Sequence, residues 1–246
     1  MTETEIPDDC ELLFLYAPAT DFTEDEIKIL SAYMEKGGNI LYMMGTSEEQ
    51  FPNLDGFLAE YGLEVQAGFA ADTQKCYQKN PYYVLPTLSV SGGMAAGLKS
   101  DTVLMLYPKG MKEIEPARET ITIETFMSTS EAGGHLVTEE KQEQGAAILG
   151  AIVTEEEAKL TVFTSATIID ESLVKQFSNL ENTSIFMNAV TENFENASNV
   201  AIPVKSLNMT SNTVENVGIL TFAVILGVPV VILVDGFVRW LKRRKA

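Results

Sequence analysis

The nearest approach to a reactive motif in this 246-residue chain is the run from Gly92 to Ser100, GGMAAGLKS. A phosphate-cradling loop needs its lysine directly after the last glycine, so that the ammonium reaches the phosphates. Here Leu98 separates Gly97 from Lys99, and the segment is not clearly framed by a strand and a helix. It reads as a Gly-rich turn. Nucleophilic catalysis needs a nucleophile beside an orienting base, and no G-x-S-x-G elbow occurs. The single histidine, His135, follows Gly133-Gly134 and reads as a loop residue. A Cys–His pair is thus limited to Cys10 or Cys76 with His135. Cys10 precedes an apolar strand-like run and reads as a core residue. Two cysteines make neither a disulfide framework nor a metal-ligand pattern, and the sequence leaves a Cys10–Cys76 disulfide open. Asp8-Asp9 and Glu155–Glu157 read as solvated turns rather than cation ligands. No catalytic residue, metal or cofactor is assigned. Three N-x-S/T sequons begin at Asn182, Asn196 and Asn208 and read as unmodified.

The elements that would position a site begin with a short buried strand, 11–16 (ELLFLY), ended by Pro18. Thr23 and Glu26 have capping-box spacing, and Glu24, Asp25 and Glu26 suit the positive end of a helix. Ile27, Leu30 and Met34 share one face of that helix, and Gly37-Gly38 stops it. Asn39–Met44 is a second strand. A strand–helix–strand unit of this kind implies parallel pairing and a right-handed crossover. Leu54–Tyr61 reads as another helix. Strand-like runs follow at 85–90, 102–107, 120–127, 146–153 and 158–165. Glu155–Glu157 make a tight turn, so the last two form a candidate antiparallel hairpin. Asp170–Phe177 and Thr183–Phe194 read as helices, and residues 139–144 as a polar loop. Ligands of open α/β sheets bind outside the carboxyl ends of the strands. Those ends are Ala17–Asp21 and Gly45–Glu49, so Gly45, Thr46 and Ser47 are the candidate ligand or partner contacts. Cys10 lies at the opposite, amino end, which disfavours catalysis there.

Charge divides the chain. Its 17 Lys+Arg and 35 Asp+Glu give −18, and the tail from Asp235 onward holds five bases and one acid. Residues 1–216 therefore bear about −22, which repels nucleic acid and anionic headgroups. Val217–Val234 is apolar apart from Thr221, and Arg239, Trp240, Lys242, Arg243, Arg244 and Lys245 follow. A helix over 217–238 would be about 33 Å long. A membrane span with a cytoplasmic C-terminus is expected from this pattern, with Gly227, Pro229 and Gly236 at close helix contacts. The start, MTETEIPDD, has no basic or apolar region of a signal peptide. Export of the domain would then need an upstream element, and the chain is expected to lack its natural beginning; a tail-anchored protein with a cytoplasmic domain is the competing explanation. The expected layout is an extracytoplasmic α/β domain over 1–194, a linker over 195–216, the span over 217–238 and a basic cytoplasmic tail over 239–246.

The order of segments resembles the GldG-like auxiliary proteins of ABC transporters. The resemblance rests on IPDDCELLFLYAPATDFTEDEIKILSAYMEKGGNILYMMG (6–45), FMSTSEAG (126–133), AKLTVFTSATIIDESLVKQFSNLENTSIFMNAVTENF (158–194), IPVKSLNMTS (202–211) and the C-terminal helix with its basic end. It implies an amidotransferase-like, flavodoxin-like α/β fold with a mostly parallel sheet, lacking catalytic Cys and His, plus one C-terminal transmembrane helix. It further implies a non-catalytic, membrane-anchored subunit beside ABC permease and ATPase subunits, with a link to gliding motility in some members. An amidotransferase-like or hydrolytic membrane-tethered enzyme is the competing expectation. A stand-alone surface module for sugar or peptide is the third.

Overall fold

The computed structural model describes residues 5–137, 142–177, 179–194 and 217–244. Its first unit is the strand–helix–strand block expected from sequence. Strand β1 (Leu13–Tyr16) leads to helix α1 (Glu24–Glu35) and strand β2 (Asn39–Met43). The Thr23 hydroxyl accepts the Glu26 N–H at 3.3 Å, and the Glu26 carboxylate accepts the Thr23 N–H at 2.9 Å. Two N–H groups that the first turn cannot pair are thereby satisfied. At the other end Gly37 takes φ +84°, and its N–H returns to the Met34 carbonyl at 2.9 Å. β1 and β2 pair in parallel, Leu13 opposite Ile40 through Tyr16 opposite Met43.

Beyond β2 come helix α2 (Pro52–Glu60) and strands β3 (Leu63–Gln66), β4 (Phe69–Asp72), β5 (Tyr83–Val84), β6 (Thr87–Leu88), β7 (Met105–Leu106) and β8 (Gly110–Glu113). Strands β9 (Ile121–Ser128), β10 (Gly134–Val137), β11 (Gln142–Gln144), β12 (Ile148–Glu155) and β13 (Ala158–Phe163) follow, then helices α3 (Glu171–Gln176), α4 (Asn182–Glu192) and α5 (Val217–Arg244). The main sheet has eight strands and runs β1-β2-β13-β12-β8-β3, with β9 beside β12 and β6 beside β9. β4, β10 and β11 form a three-stranded sheet, and β5 and β7 a two-stranded one.

Within the main sheet only β1, β2 and β13 pair in parallel; the pairings of β12, β9, β8, β6 and β3 are antiparallel. The mostly parallel, flavodoxin-like sheet expected from the resemblance is therefore corrected to a mixed α/β fold with several sheets. A parallel pair needs a long crossover, usually a helix. Between β3 and β13 the described residues form no α-helix, so consecutive strands must turn back on themselves. The β12–β13 hairpin does so at the expected acidic turn, where Glu156 adopts φ +53°.

β2 lies between two cores. Ile40, Tyr42 and Met44 pack on the α1 and α2 side with Leu30, Leu54 and Leu58. Leu41 and Met43 face the other way, toward Phe126, Phe163 and the α4 residues Ile185 and Ala189. Each such side chain is worth about 2 kcal/mol of burial. This two-sided burial explains why ILYM, after Asn39, carries no alternating charged or amide side chains.

The chain divides into two compact units, Met1–Ala201 and Ile202–Ala246. In the second, α5 is one helix through Arg244 and contains Pro229. Among the described residues no helix is long and apolar enough to cross a membrane, so the span expected over 217–238 is corrected as well. Charge enters α5 near its end, where Asp235 pairs with Arg239 at 2.9 Å. The expected linker over 195–216, the sequons at Asn196 and Asn208 and residues 139–141 of the expected polar loop lie outside the described residues, while Gln142–Gln144 is strand β11 rather than loop.

The three-stranded sheet is clipped by one buried carboxylate. Asp72 is fully buried, and its oxygens accept the N–H groups of Gln74 and Lys75 at 2.8 Å and of Ser130 at 2.7 Å. Burial pushes its carboxyl up, but the bonds from Lys75, Ser130 and Gln74 together outweigh it and hold the group below the ordinary carboxylate value. Its stabilisation is then full above the unfolded-state pKa near 3.9 and is lost as pH falls through the lower folded value. An Asp72→Ala variant should lose about 3 kcal/mol at pH 7 by urea denaturation. It should also show a smaller stability loss than wild type between pH 4 and lower pH, a window set by the direction of that shift.

Candidate functional site

Three parallel strands bring three loops to one edge. Ala17–Asp21 follows β1, Gly45–Glu49 follows β2, and Thr164-Ser165 follows β13. Main-chain bonds knit the edge. The Ala17 N–H reaches the Met43 carbonyl at 2.8 Å, Met44 reaches Phe163 at 2.9 Å, and Ala166 reaches Met44 at 2.7 Å. Lys109, just before β8, donates its N–H to the Thr164 carbonyl at 3.0 Å. Ala17 holds φ +42°, a left-handed conformation that a residue with a Cβ keeps only when its surroundings impose it.

Asp21 ties the first loop to α2. Its carboxylate accepts the Phe22 N–H at 2.8 Å, the Asn53 N–H at 2.9 Å and the Leu54 N–H at 3.2 Å. The residue preceding α2, Phe51, makes no side-chain cap, and Pro52 begins the helix. Asp21 therefore caps α2 from a distant loop. Asn53 answers through its amide, which donates to the Phe22 carbonyl at 2.7 Å.

Lys109 ties down the second loop. It is buried, its Nζ donates to the Glu49 carbonyl, and its ammonium lies 5.5 Å from the Phe51 ring centroid. Burial lowers its pKa, with Asp55 and Glu49 opposing the shift. Asp55, on α2, accepts the Phe51 N–H at 3.1 Å, and burial raises its carboxyl. Burial likewise raises the Tyr42 phenol, assisted by the charges of Asp55 and Asp21. The floor of the edge is thus a polar set of buried Tyr42 and Lys109 with half-buried Asp21 and Asp55.

Above this floor the expected contact residues divide. Gly45 is half-buried, while Thr46, Ser47, Glu48 and Glu49 are exposed. The Ser47 hydroxyl accepts the Glu49 N–H at 3.1 Å. The β13 loop hydroxyls are engaged with main chain: Ser165 donates to the Leu106 carbonyl at 2.9 Å, and Thr164 to Leu149 at 3.0 Å. The geometry offers an exposed polar loop on a rigid, internally bonded base, a form suited to recognition. On α5, a Cβ at Gly236 would meet nothing within 4 Å. Pro229 lies within that helix, and the side-chain surroundings of 227 are outside the described residues.

The other candidate groups lie apart from this edge. His135 is on strand β10, opposite Ala71 and Gln144, rather than in a loop, and its Nδ1 bonds the Gly133 carbonyl at 2.7 Å. Cys10 sits beyond the amino end of β1 with its sulfur 3.7 Å from the Tyr33 hydroxyl, and Cys76 bridges to Val84. Both cysteines are free, which closes the question of a disulfide between them. The Gly-rich segment forms a 3₁₀ turn, Gly92–Ala95, that receives α4. A Cβ at Gly93 would collide with the Glu192 carboxylate, and the Asn188 amide donates to the Met94 and Ala96 carbonyls at 2.9 Å. Among the described residues no group of three His, Cys, Asp or Glu is placed to hold a metal ion.

Sequence reasoning placed Asp21 at the carboxyl end of the first strand but not its bonds to α2, thirty-odd positions on. Lys109 it missed. Only the pairing of β8 with β12 and β3 buries it.

The molecule is thus a mixed α/β protein whose three parallel strands end at one edge. Residues 2–80 match the family model described as an ABC-type uncharacterized transport system, and the match agrees with the resemblance to the GldG-like auxiliary proteins. The family indicates an auxiliary protein of an ABC-type transport system and suggests a non-catalytic role. No curated protein sequence matches the chain significantly. Among solved structures, the mmIFT52 N-terminal domain aligns with TM-score 0.56 and 18% identity over 74% of this chain and 76% of that one, a likeness of fold alone. A protein described as thua-like from Bacteroides uniformis aligns with TM-score 0.44 and 12% identity over 74% of this chain and 69% of its own, too distant to bear on the fold.

Asp21→Ala should cost about 1–2 kcal/mol in urea denaturation and speed amide exchange at Asn53 and Leu54, since both lose their acceptor. Lys109→Met should release Gly45–Phe51, read as faster exchange there with β2 unchanged. Because the folded Lys109 binds its proton more weakly than the unfolded chain, wild-type stability relative to this variant should rise with pH toward about 10.4.

Proposed function

We propose that this chain is a non-catalytic auxiliary subunit of an ABC-type export system whose α/β unit binds a partner or substrate. The observation that carries the reading is the family match over residues 2–80. That segment contains β1, α1, β2 and α2, and with them both loops of the carboxyl edge. The exposed Thr46, Ser47, Glu48 and Glu49 are the recognition surface, and Asp21 and Lys109 hold it in place. Permease and ATPase subunits are the partners. The bulk of the chain works outside the cytoplasm at the cell membrane, a placement supported by the resemblance and by an acidity that disfavours nucleic acid.

Affinity purification of the tagged chain from its own membranes in mild detergent tests this reading. An ATPase and a multi-span permease should be retained in fixed ratio, and protease added to intact cells should cut the α/β unit. Recovery of the chain with neither subunit, or hydrolysis of acyl or amide substrates that falls in a His135→Ala variant, would contradict it.

A further inference from the structure

Among the described residues the eight-stranded sheet ends on β1, which pairs with β2 on one side only. The Ala17 N–H points inward to Met43. Strand alternation therefore turns the main-chain groups of Leu13 and Leu15 toward β2 and those of Phe14 and Tyr16 outward. Edge strands are usually blunted by lysine, proline or a bulge. β1, Leu-Phe-Leu-Tyr, has none of these, and its register with β2 is regular.

Beside the open backbone lies an apolar patch. Among its described residues the first unit exposes Phe14, Tyr16, Tyr107 and Met187 as large hydrophobics, and Phe14 and Tyr16 lie together here. The Phe14 ring lies 5.8 Å from Tyr16 and 6.0 Å from Phe186, the neighbour of the exposed Met187 on α4. Isolated exposed apolar side chains are ordinary, but a cluster along an unpaired edge marks an interaction surface. Asp8, Asp9 and Glu11, all exposed, line the approach to β1. A second copy in antiparallel pairing would set these acids near Asp21 of its mate, within a chain of net charge −18. Like charges in register disfavour that occupant, and complementary charges favour another.

We propose that the β1 edge is a docking site for an extended segment of a partner protein, apolar at alternate positions and basic where it passes Asp8, Asp9 and Glu11. The segment adds a strand to the sheet through the outward groups of Phe14 and Tyr16, and its side chains cover the Phe14–Tyr16–Phe186 patch. The inference is independent of the transport reading, because it uses the amino-terminal edge strand and not the Gly45–Glu49 loop.

The probe is a synthetic ten-residue peptide of alternating valine and threonine with two lysines at each end. It is titrated into the whole chain by calorimetry, with amide exchange read by mass spectrometry. Binding should slow exchange in 12–17, weaken with salt, and fall about tenfold or more in Phe14→Ser and Tyr16→Ser, both exposed positions. Tyr16→Pro removes an outward N–H that the β1–β2 ladder does not use, and should weaken binding while leaving Lys109 and β2 exchange unchanged. Absence of binding, equal binding of a glutamate-flanked peptide, or protection confined to other strands would overturn the proposal. So would a concentration-dependent dimer that Phe14→Lys abolishes, since it would assign the edge to a second copy.

Discussion

Everything at the carboxyl edge depends on the burial of β2 on both faces. Ile40, Leu41, Tyr42, Met43 and Met44 are all buried, with side chains divided between two hydrophobic clusters. A strand committed to two cores cannot slip by one residue without exchanging them. Its register therefore sets that of β1 on one side and β13 on the other. Fixed registers end all three strands together, and the Ala17–Met43, Met44–Phe163 and Ala166–Met44 bonds join their loops. Asp21 then reaches α2, and Lys109 arrives from the antiparallel half to hold Glu49 and Phe51.

The parallel block was the legible part of the chain, for local reasons. The Thr23–Glu26 cap, the Gly37-Gly38 stop and the apolar stripe of α1 act within a few residues of one another. β9 showed its alternation, and the β12–β13 hairpin showed its acidic turn. The short strands were not legible. β8 contains Gly110, Lys112 and Glu113, and β10 begins at Gly134 with His135. Each becomes a strand through distant partners: Met111 opposite Val65, and His135 opposite Ala71. The expectation of a mostly parallel sheet extended a correct reading of residues 11–44 to the strands from β3 to β13, between which the described residues form no α-helix to make a crossover. The apolar run near the C-terminus was read for its length, and no described helix meets the requirement for crossing a membrane.

The site follows the same division. The loops after β1 and β2 could be located because the carboxyl ends of parallel strands follow from strand order. Their supports could not. A carboxylate capping a helix from another loop, and a lysine buried by a sheet pairing, have no local signature. These supports also bear on function. A loop whose main chain is bonded to a buried lysine keeps its shape without a ligand, and such preorganisation lowers the ordering cost of binding. The hydroxyls of Ser165 and Thr164 are occupied by carbonyls, and His135 belongs to another sheet.

The direct test of partner recognition at this edge is amide exchange on the chain, free and with the proposed permease and ATPase subunits. Recognition through the carboxyl edge predicts slowed exchange in Ala17–Asp21 and Gly45–Glu49 on assembly, while β2, protected in both states, is unchanged. Exchange in those loops that stays the same in the assembled complex would contradict the account.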